Sequence, residues 1–197
     1  MKTSLLILSA ACLIGMSSCD NRVNIQGEWQ SSTIKLDLPN TATSTATMSY
    51  TFNSDGTVNL ASEINITEPL SPVTIDNSNI EPYMASVSAT SSISGTWQYA
   101  KDENDEVVII FDDSTFQLNI DPEAVEISVN ETTDTEVSTN IDMKAAVVQR
   151  YKALLTPEMK ATYTKFSRLD DIKVDKNFLN CEIADHDYIF RAVAVPE

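Results

Sequence analysis

Between residues 48 and 66 the chain alternates apolar and polar positions with a period of two. Met48, Tyr50 and Phe52 alternate with Ser49, Thr51 and Asn53; further on, Val58, Leu60, Ile64 and Ile66 share one parity against Thr57, Asn59, Glu63 and Asn65, interrupted by Ser62. Alternation of this kind marks a half-buried strand. Asn53-Ser54-Asp55-Gly56 lies between the two runs, with a glycine where a tight turn needs positive φ. The segment therefore predicts a β-hairpin.

The same reading extends along the chain. Ile25 to Trp29 starts a first strand, and Glu68 to Pro82, with three prolines and several Ser and Asn, reads as a loop. Strand patterning resumes at Ile93 to Tyr99, followed by a polar turn from Lys101 to Glu106. Further strands are expected at Val107 to Phe111, Thr115 to Ile120 and Val125 to Val129, then a Thr-rich loop from Glu131 to Asn140. From Met143 the period changes, and Met143, Val147, Val148, Tyr151, Leu154 and Leu155 form a helical apolar face. Thr156-Pro157-Glu158 predicts a second helix, with Thr as N-cap and Pro in the first position, and Met159, Tyr163 and Phe166 as its face. Two strands close the chain, Asn177 to Ala184 and Asp187 to Val195. The expected fold is mainly β, with about eight to ten strands in hairpin order and one helical insertion before the last strands. Closure into an antiparallel barrel removes exposed edges; a two-sheet sandwich has the same periodicity.

The first eighteen residues have a different character. Lys2 precedes an apolar run from Leu5 to Ile14, too short to span a bilayer, and Gly15-Met16-Ser17-Ser18-Cys19 follows. Small residues before a cysteine resemble the lipobox of a bacterial lipoprotein, with Met16 in place of the usual Leu. The resemblance implies a signal peptide over 1–18, acylation of Cys19, a short tether over 19–24 and a folded domain over 25–197. It also implies anchoring to the outer membrane on its periplasmic or surface face, since two or three acyl chains hold a protein stably where one does not. Cleavage would leave 12 basic against 29 acidic residues, moving the formal charge from −16 to −17.

That acidic excess argues against nucleic acid as a partner, because phosphate binding needs clustered Lys and Arg. One histidine cannot build a multi-His metal site, and four glycines in 197 residues leave no Gly-rich phosphate loop. No cofactor or metal is expected. With Cys12 in the discarded peptide and Cys19 acylated, Cys181 is the remaining thiol; it alternates with Leu179 and Ile183 as a small core residue.

Three of the four glycines sit in recurring contexts. Ile25-Gln26-Gly27-Glu28-Trp29-Gln30 and Ile93-Ser94-Gly95-Thr96-Trp97-Gln98 share Ile-x-Gly-x-Trp-Gln, and Gly56 closes Phe52-Asn53-Ser54-Asp55-Gly56-Thr57. Over residues 25–120 this arrangement resembles the lipocalin-like lipoproteins of Bacteroidetes-type bacteria. The resemblance implies a lipocalin-like barrel in which Trp29 plugs the closed end and Arg191 packs over its ring. It leaves the helical segment and the last strands less well matched.

Several residues carry candidate chemistry. Inward faces of the expected strands place Tyr50, Phe52, Trp97, Tyr99, Phe111, Phe116, Tyr188 and Phe190 where they would line a ligand cavity or fill a solid core. His186 lies between Asp185 and Asp187, in a run read as the turn before the last strand, and no Gly-x-Ser-x-Gly nucleophile motif accompanies it. Asp102 to Glu106 and Asp112-Asp113 offer oxygen ligands for Ca²⁺ but read first as solvated hairpin carboxylates. Asp113-Ser114-Thr115 resembles a short O-glycosylation acceptor of the same bacteria. The expected function is a non-catalytic, membrane-anchored lipoprotein that binds a small, partly apolar ligand in its barrel. The alternative is an accessory lipoprotein with a filled barrel that presents acidic loops to a protein or glycan.

Overall fold

The computed structural model describes residues 22–39, 41, 43–69, 74–75, 78–79, 83–129 and 141–193. The signal peptide, Cys19, the first tether residues and the expected loop at 131–140 lie outside the described residues. Strands β1 (Gly27–Ser31), β2 (Ile34–Lys35), β3 (Thr43–Phe52) and β4 (Thr57–Pro69) come first, then two short strands, β5 (Thr74–Ile75) and β6 (Ser78–Asn79). They are followed by β7 (Tyr83–Tyr99), β8 (Val107–Phe111), β9 (Gln117–Ile120) and β10 (Glu126–Val129). Helix α1 (Ile141–Lys165) precedes β11 (Arg168–Asp175), β12 (Phe178–Ile183) and β13 (His186–Ala192).

The strands form a closed antiparallel barrel, not a sandwich. The wall runs β1-β13-β12-β11-β8-β7-β4-β3, and β1 pairs with β3 to complete eight strands. Every ladder is antiparallel, and the seventeen-residue β7 carries β8, β9 and β10 in succession along one edge. These three strands are pieces of one interrupted strand. The interruptions are single 3-10 turns at Asp113–Thr115 and Pro122–Ala124, each capped by the preceding aspartate, whose carboxylate accepts from the backbone N–H two residues on.

The hairpin of β3 and β4 forms as its alternation requires, with Phe52 opposite Val58 and ten residue pairs in unbroken register. At its turn Gly56 takes φ +82°, and the Asp55 carboxylate accepts from both the amide and the hydroxyl of Thr57, at 2.9 and 2.7 Å. These bonds hold the Asp55 carboxyl below its ordinary range. Trp97 seals the turn from β7: its backbone N–H donates to Gly56 O at 2.9 Å and its indole Nε1 donates to Asn53 O at 3.1 Å. The Asp-Gly turn and the second Gly-x-Trp are thus one structural unit. Gly95 lets it close, since a Cβ there would lie 2.2 Å from Ile110 O.

Four expectations are corrected. The strand expected to begin at Ile93 begins at Tyr83, directly after the expected loop at 68–82, and that loop is shorter at its start because Glu68 and Pro69 belong to β4. The strand expected from Thr115 starts at Gln117, because Asp112 caps a 3-10 turn through Thr115. The two expected helices are one: α1 runs through Pro157, and Thr156 is no N-cap, its hydroxyl donating back to Lys152 O at 2.7 Å. Strand β11 had no expected counterpart. A register shift between Asp170 and Lys173, with Asp171 at φ +50°, buries Leu169 and Ile172 three residues apart and breaks the two-residue period.

The interior is continuous and aromatic. Tyr50, Phe52 and Phe190 from the wall pack with Tyr151, Leu155, Met159, Tyr163 and Phe166 of α1 and its C-terminal turn, all at most 2% exposed. The helix therefore presses its apolar face into the barrel rather than lying on its outer surface. At rates typical of buried side chains, each of these residues stabilises the fold by about 1.5–3 kcal/mol.

Candidate functional site

Each sequence-predicted residue has a definite place. Tyr50 stacks on Phe52 with ring centroids 5.0 Å apart, approaches Phe190 at 5.5 Å and donates its hydroxyl to Phe166 O. Desolvation in this core pushes the Tyr50 hydroxyl well above its ordinary range, with Cys181 and Tyr188 adding to the shift. Trp97 meets Phe52 and Tyr99 edge-on at one end of the barrel. Phe111 and Phe116 flank the ring of Tyr163, at 6.3 and 6.2 Å, and Tyr188 meets Phe166 at 5.2 Å. The eight expected lining residues thus fall into two aromatic groups: Phe111 and Phe116 about Tyr163 of α1, and the other six linked to one another and to Phe166 just past the helix end. Among the described hollows only Tyr188 of these eight is a lining residue.

Trp29 is buried, and its indole donates to Ile25 O at 2.8 Å. Arg191 is exposed on β13, opposite Gln30 in the ladder, and its guanidinium lies over the ring of Phe178 at 5.8 Å. Just ahead of β1 the chain is fastened to the barrel. The Val23 amide donates to Asn104 O at 3.3 Å, the Tyr99 hydroxyl donates to Val23 O, and Arg22 lies 5.0 Å over the Tyr99 ring.

The acidic turns have structural partners. Glu106 pairs with Arg168 at 2.9 Å, Asp105 O accepts from the Ile172 amide, and Asp112 accepts from both N–H and hydroxyl of Ser114. The latter bonds hold the Asp112 carboxyl below its ordinary range. Ser114, in the expected glycosylation tripeptide, is exposed. No group of three or more His, Cys, Asp or Glu able to hold a metal ion occurs among the described residues.

His186 is exposed at the start of β13, where its Nδ1–H donates to Ala184 O at 2.8 Å, across a turn whose Ala184 and Asp185 both have positive φ. No hydrogen bond joins its ring to a hydroxyl or carboxylate among the described residues. Cys181 is buried, and desolvation, reinforced by Asp170, pushes its thiol up to about 12.

Two features were not read from the sequence. The first is internal: Glu68, 1% exposed on β4, pairs with Arg150 of α1 at 3.1 Å, while its Oε2 and the buried Tyr151 hydroxyl have no hydrogen-bond partner. Burial, followed by the neighbouring Glu68, pushes the Tyr151 hydroxyl above its ordinary range. The loop reading of residue 68 concealed this pair, though Ile64, Ile66 and Glu68 share one parity. The second is external. Two adjoining hollows of about 360 Å³ each lie on the outer face of β3, β4, β7 and β9, sharing Glu63, Thr90 and Asn119.

No protein-family model matches the chain, and no curated protein matches it in sequence. The barrel and its surfaces therefore carry the functional argument.

Proposed function

We propose that this protein is a non-catalytic, lipid-anchored accessory lipoprotein of the bacterial cell envelope, its lipocalin-like barrel a filled scaffold that presents its outer surface to a partner. The observation that carries this reading is the seating of α1: Tyr151, Leu155, Met159, Tyr163 and Phe166 occupy the space that an internal ligand would need. The function expected first from the sequence, binding of a small partly apolar ligand among Tyr50, Phe52, Trp97, Tyr99, Phe111, Phe116, Tyr188 and Phe190, requires that face of α1 to withdraw.

Anchoring rests on Gly15-Met16-Ser17-Ser18-Cys19. The docking of Arg22 and Val23 on the barrel supports a short tether. Three residues span at most ~11 Å, so an acyl group on Cys19 would hold the Tyr99 end of the barrel close to the bilayer. The outer membrane, on its periplasmic or surface face, is the proposed location.

One pair of measurements tests the reading. Cells given an alkyne fatty acid should label the wild-type chain in the outer-membrane fraction and leave Cys19→Ser unlabelled; equal labelling of both would overturn the anchor. A fluorescent fatty-acid analogue titrated into the purified full chain should show no saturable binding. Saturable binding weakened by Phe116→Ala would overturn the filled scaffold in favour of an internal ligand.

A further inference from the structure

The outer face of the barrel is unusual for a chain of charge −16. The outward positions of β3 are Thr43, Thr45, Thr47, Ser49 and Thr51, and those of β7 from Ser86 to Thr96 are all Ser or Thr. Between them β4 presents Asn59, Ala61, Glu63 and Asn65. An acidic protein thus keeps a broad face of its wall almost free of charge.

Register turns this composition into a shape. Gln30 lies opposite Ser49, Ser49 opposite Ala61, Ala61 opposite Ser92, and Ser92 opposite Gln117. One row crosses five strands with its smallest side chain at the centre and a glutamine at each end. Strand spacing makes the row roughly 19 Å long. Small residues between long ones form a trough, and the first 360 Å³ hollow lies along it. The next row, Glu63, Thr90 and Asn119, is shared with the second hollow and extends the trough along the strands.

From this we propose that the trough is a binding site for a neutral oligosaccharide, the outer-surface partner left open by the filled-scaffold reading on which the proposal rests. Hydroxyls and carboxamides both donate and accept, matching the mixed hydrogen-bonding of sugar hydroxyls. Among the described residues, the side chains of Glu63, Thr90, Ser92, Gln117 and Asn119 make no hydrogen bond to protein, so their polar atoms remain available. Ser and Thr side chains are short and lose little rotamer freedom when a ligand orders them, unlike Lys or Arg. Charge selects within the polar ligands. The carboxylates lining the two hollows are Glu28, Glu63 and Asp121, with no Lys or Arg beside them, so an anionic polymer is repelled while a carboxylate can accept from neighbouring sugar hydroxyls.

The test is native affinity electrophoresis of the purified full chain through gels containing one of four neutral polysaccharides: glycogen, laminarin, xyloglucan or galactomannan. Heparin serves as the anionic control. At least one neutral polymer should retard the wild type, and heparin should not. Ala61→Trp fills the centre of the trough from an outward-facing position and should weaken retardation at least tenfold. Asn119→Ala, a smaller change in the adjoining row, should weaken it about threefold. Circular dichroism and thermal unfolding matching the wild type establish that both variants fold. Absence of retardation by all four polymers, or unchanged retardation of a folded Ala61→Trp, overturns the proposal. Binding of the fatty-acid analogue inside the barrel would overturn the scaffold reading alone, since Ala61→Trp leaves the interior untouched.

Discussion

Tyr163→Phe isolates the contact that seats α1 in the barrel. The Tyr163 hydroxyl lies 2.9 Å from Ser62 Oγ on β4 and 2.6 Å from Ser91 Oγ on β7, and all three residues are buried, at 1%, 2% and 4% exposure. Burial pushes the phenol above its ordinary range, although both serine bonds pull the other way, so the group is neutral at any working pH. Removing the oxygen breaks two hydrogen bonds at once. Ser62 retains the Met48 sulfur at 3.2 Å, whereas Ser91 has no other side-chain bond among the described residues. Two net bonds of about 1 kcal/mol each, plus about 1–2 kcal/mol for an orphaned buried hydroxyl, give a loss of about 3–4 kcal/mol. The matching fall in Tm is about 6–16 °C for a chain of this size.

The assay is urea unfolding followed by tryptophan fluorescence, with Trp29 as the buried reporter. The decisive comparison is Ser62→Ala/Ser91→Ala/Tyr163→Phe. Replacing every partner of a buried polar contact by an apolar group removes the desolvation penalty, so the triple variant should fall short of the summed single losses by about 1–3 kcal/mol. A Tyr163→Phe loss under about 0.5 kcal/mol, or additivity of the three changes within about 0.5 kcal/mol, would refute the seating of α1 between β4 and β7.

Other perturbations probe separate parts of the molecule. Gly95→Ala sets a Cβ 2.2 Å from Ile110 O and 2.8 Å from Phe111 Cα, backbone atoms that cannot move without parting β7 from β8, and should cost about 3 kcal/mol or more. Gly27→Ala meets nothing closer than 4.0 Å and suffers only its φ of +122°, so its loss should stay near 1–2 kcal/mol; equal losses in equilibrium unfolding would contradict the close approach at Gly95. Arg150→Ala leaves the buried Glu68 unpaired, and because Arg150 is half exposed the expected loss is about 2–3 kcal/mol, below that of a fully buried pair. Adding Glu68→Gln should restore most of it, which unfolding curves of both variants will check. Cys181, its thiol pushed up to about 12, should resist maleimide at pH 8 until urea unfolds the chain. A folded-state value above the unfolded ~8.5 means that the thiol's contribution is complete below that point and is lost as pH rises towards 12. Stability of the wild type should therefore fall more steeply above pH 9 than that of Cys181→Ala, and parallel slopes would refute the burial of a neutral thiol.

Parity made the barrel wall legible. Ten consecutive residues of β3 oppose ten of β4 without a shift, and such runs display their buried face in the sequence alone. β11 was not legible because its bulge at Asp171 places Leu169 and Ile172 on one face at a spacing that strand periodicity does not allow. The single helix was legible but misread. Val148, Tyr151, Leu155, Met159, Tyr163 and Phe166 continue one stripe at spacings of three and four across Pro157. Pro157 lacks only the N–H that would reach Ala153, and the buried stripe outweighs that loss. The candidate lining residues were found by parity, yet whether they enclose space depended on α1, which starts at Ile141, 42 residues after β7 ends at Tyr99, a long-range fact that no local pattern contains.

Interior and exterior of the wall now carry different work. Every inward position of β3 and β4 meets a core residue, a buried serine or the paired Glu68, so substitutions there chiefly change stability. The outward positions of the same strands lie outside the apolar core, and strand propensity chiefly limits which side chains they take. Thr and Ser suit an exposed strand, so a polar face alone says little about function. The row Gln30, Ser49, Ala61, Ser92 and Gln117 says more, because propensity sets no cross-strand order of sizes and these residues stand far apart in sequence. A purely solvating face would accept Lys or Glu at its centre as readily as Ala. Ala61→Lys should therefore leave stability within about 0.5 kcal/mol of the wild type, while polysaccharide retardation falls at least tenfold. That separation, binding lost at constant stability, is what a recognition surface predicts and a solvated wall does not.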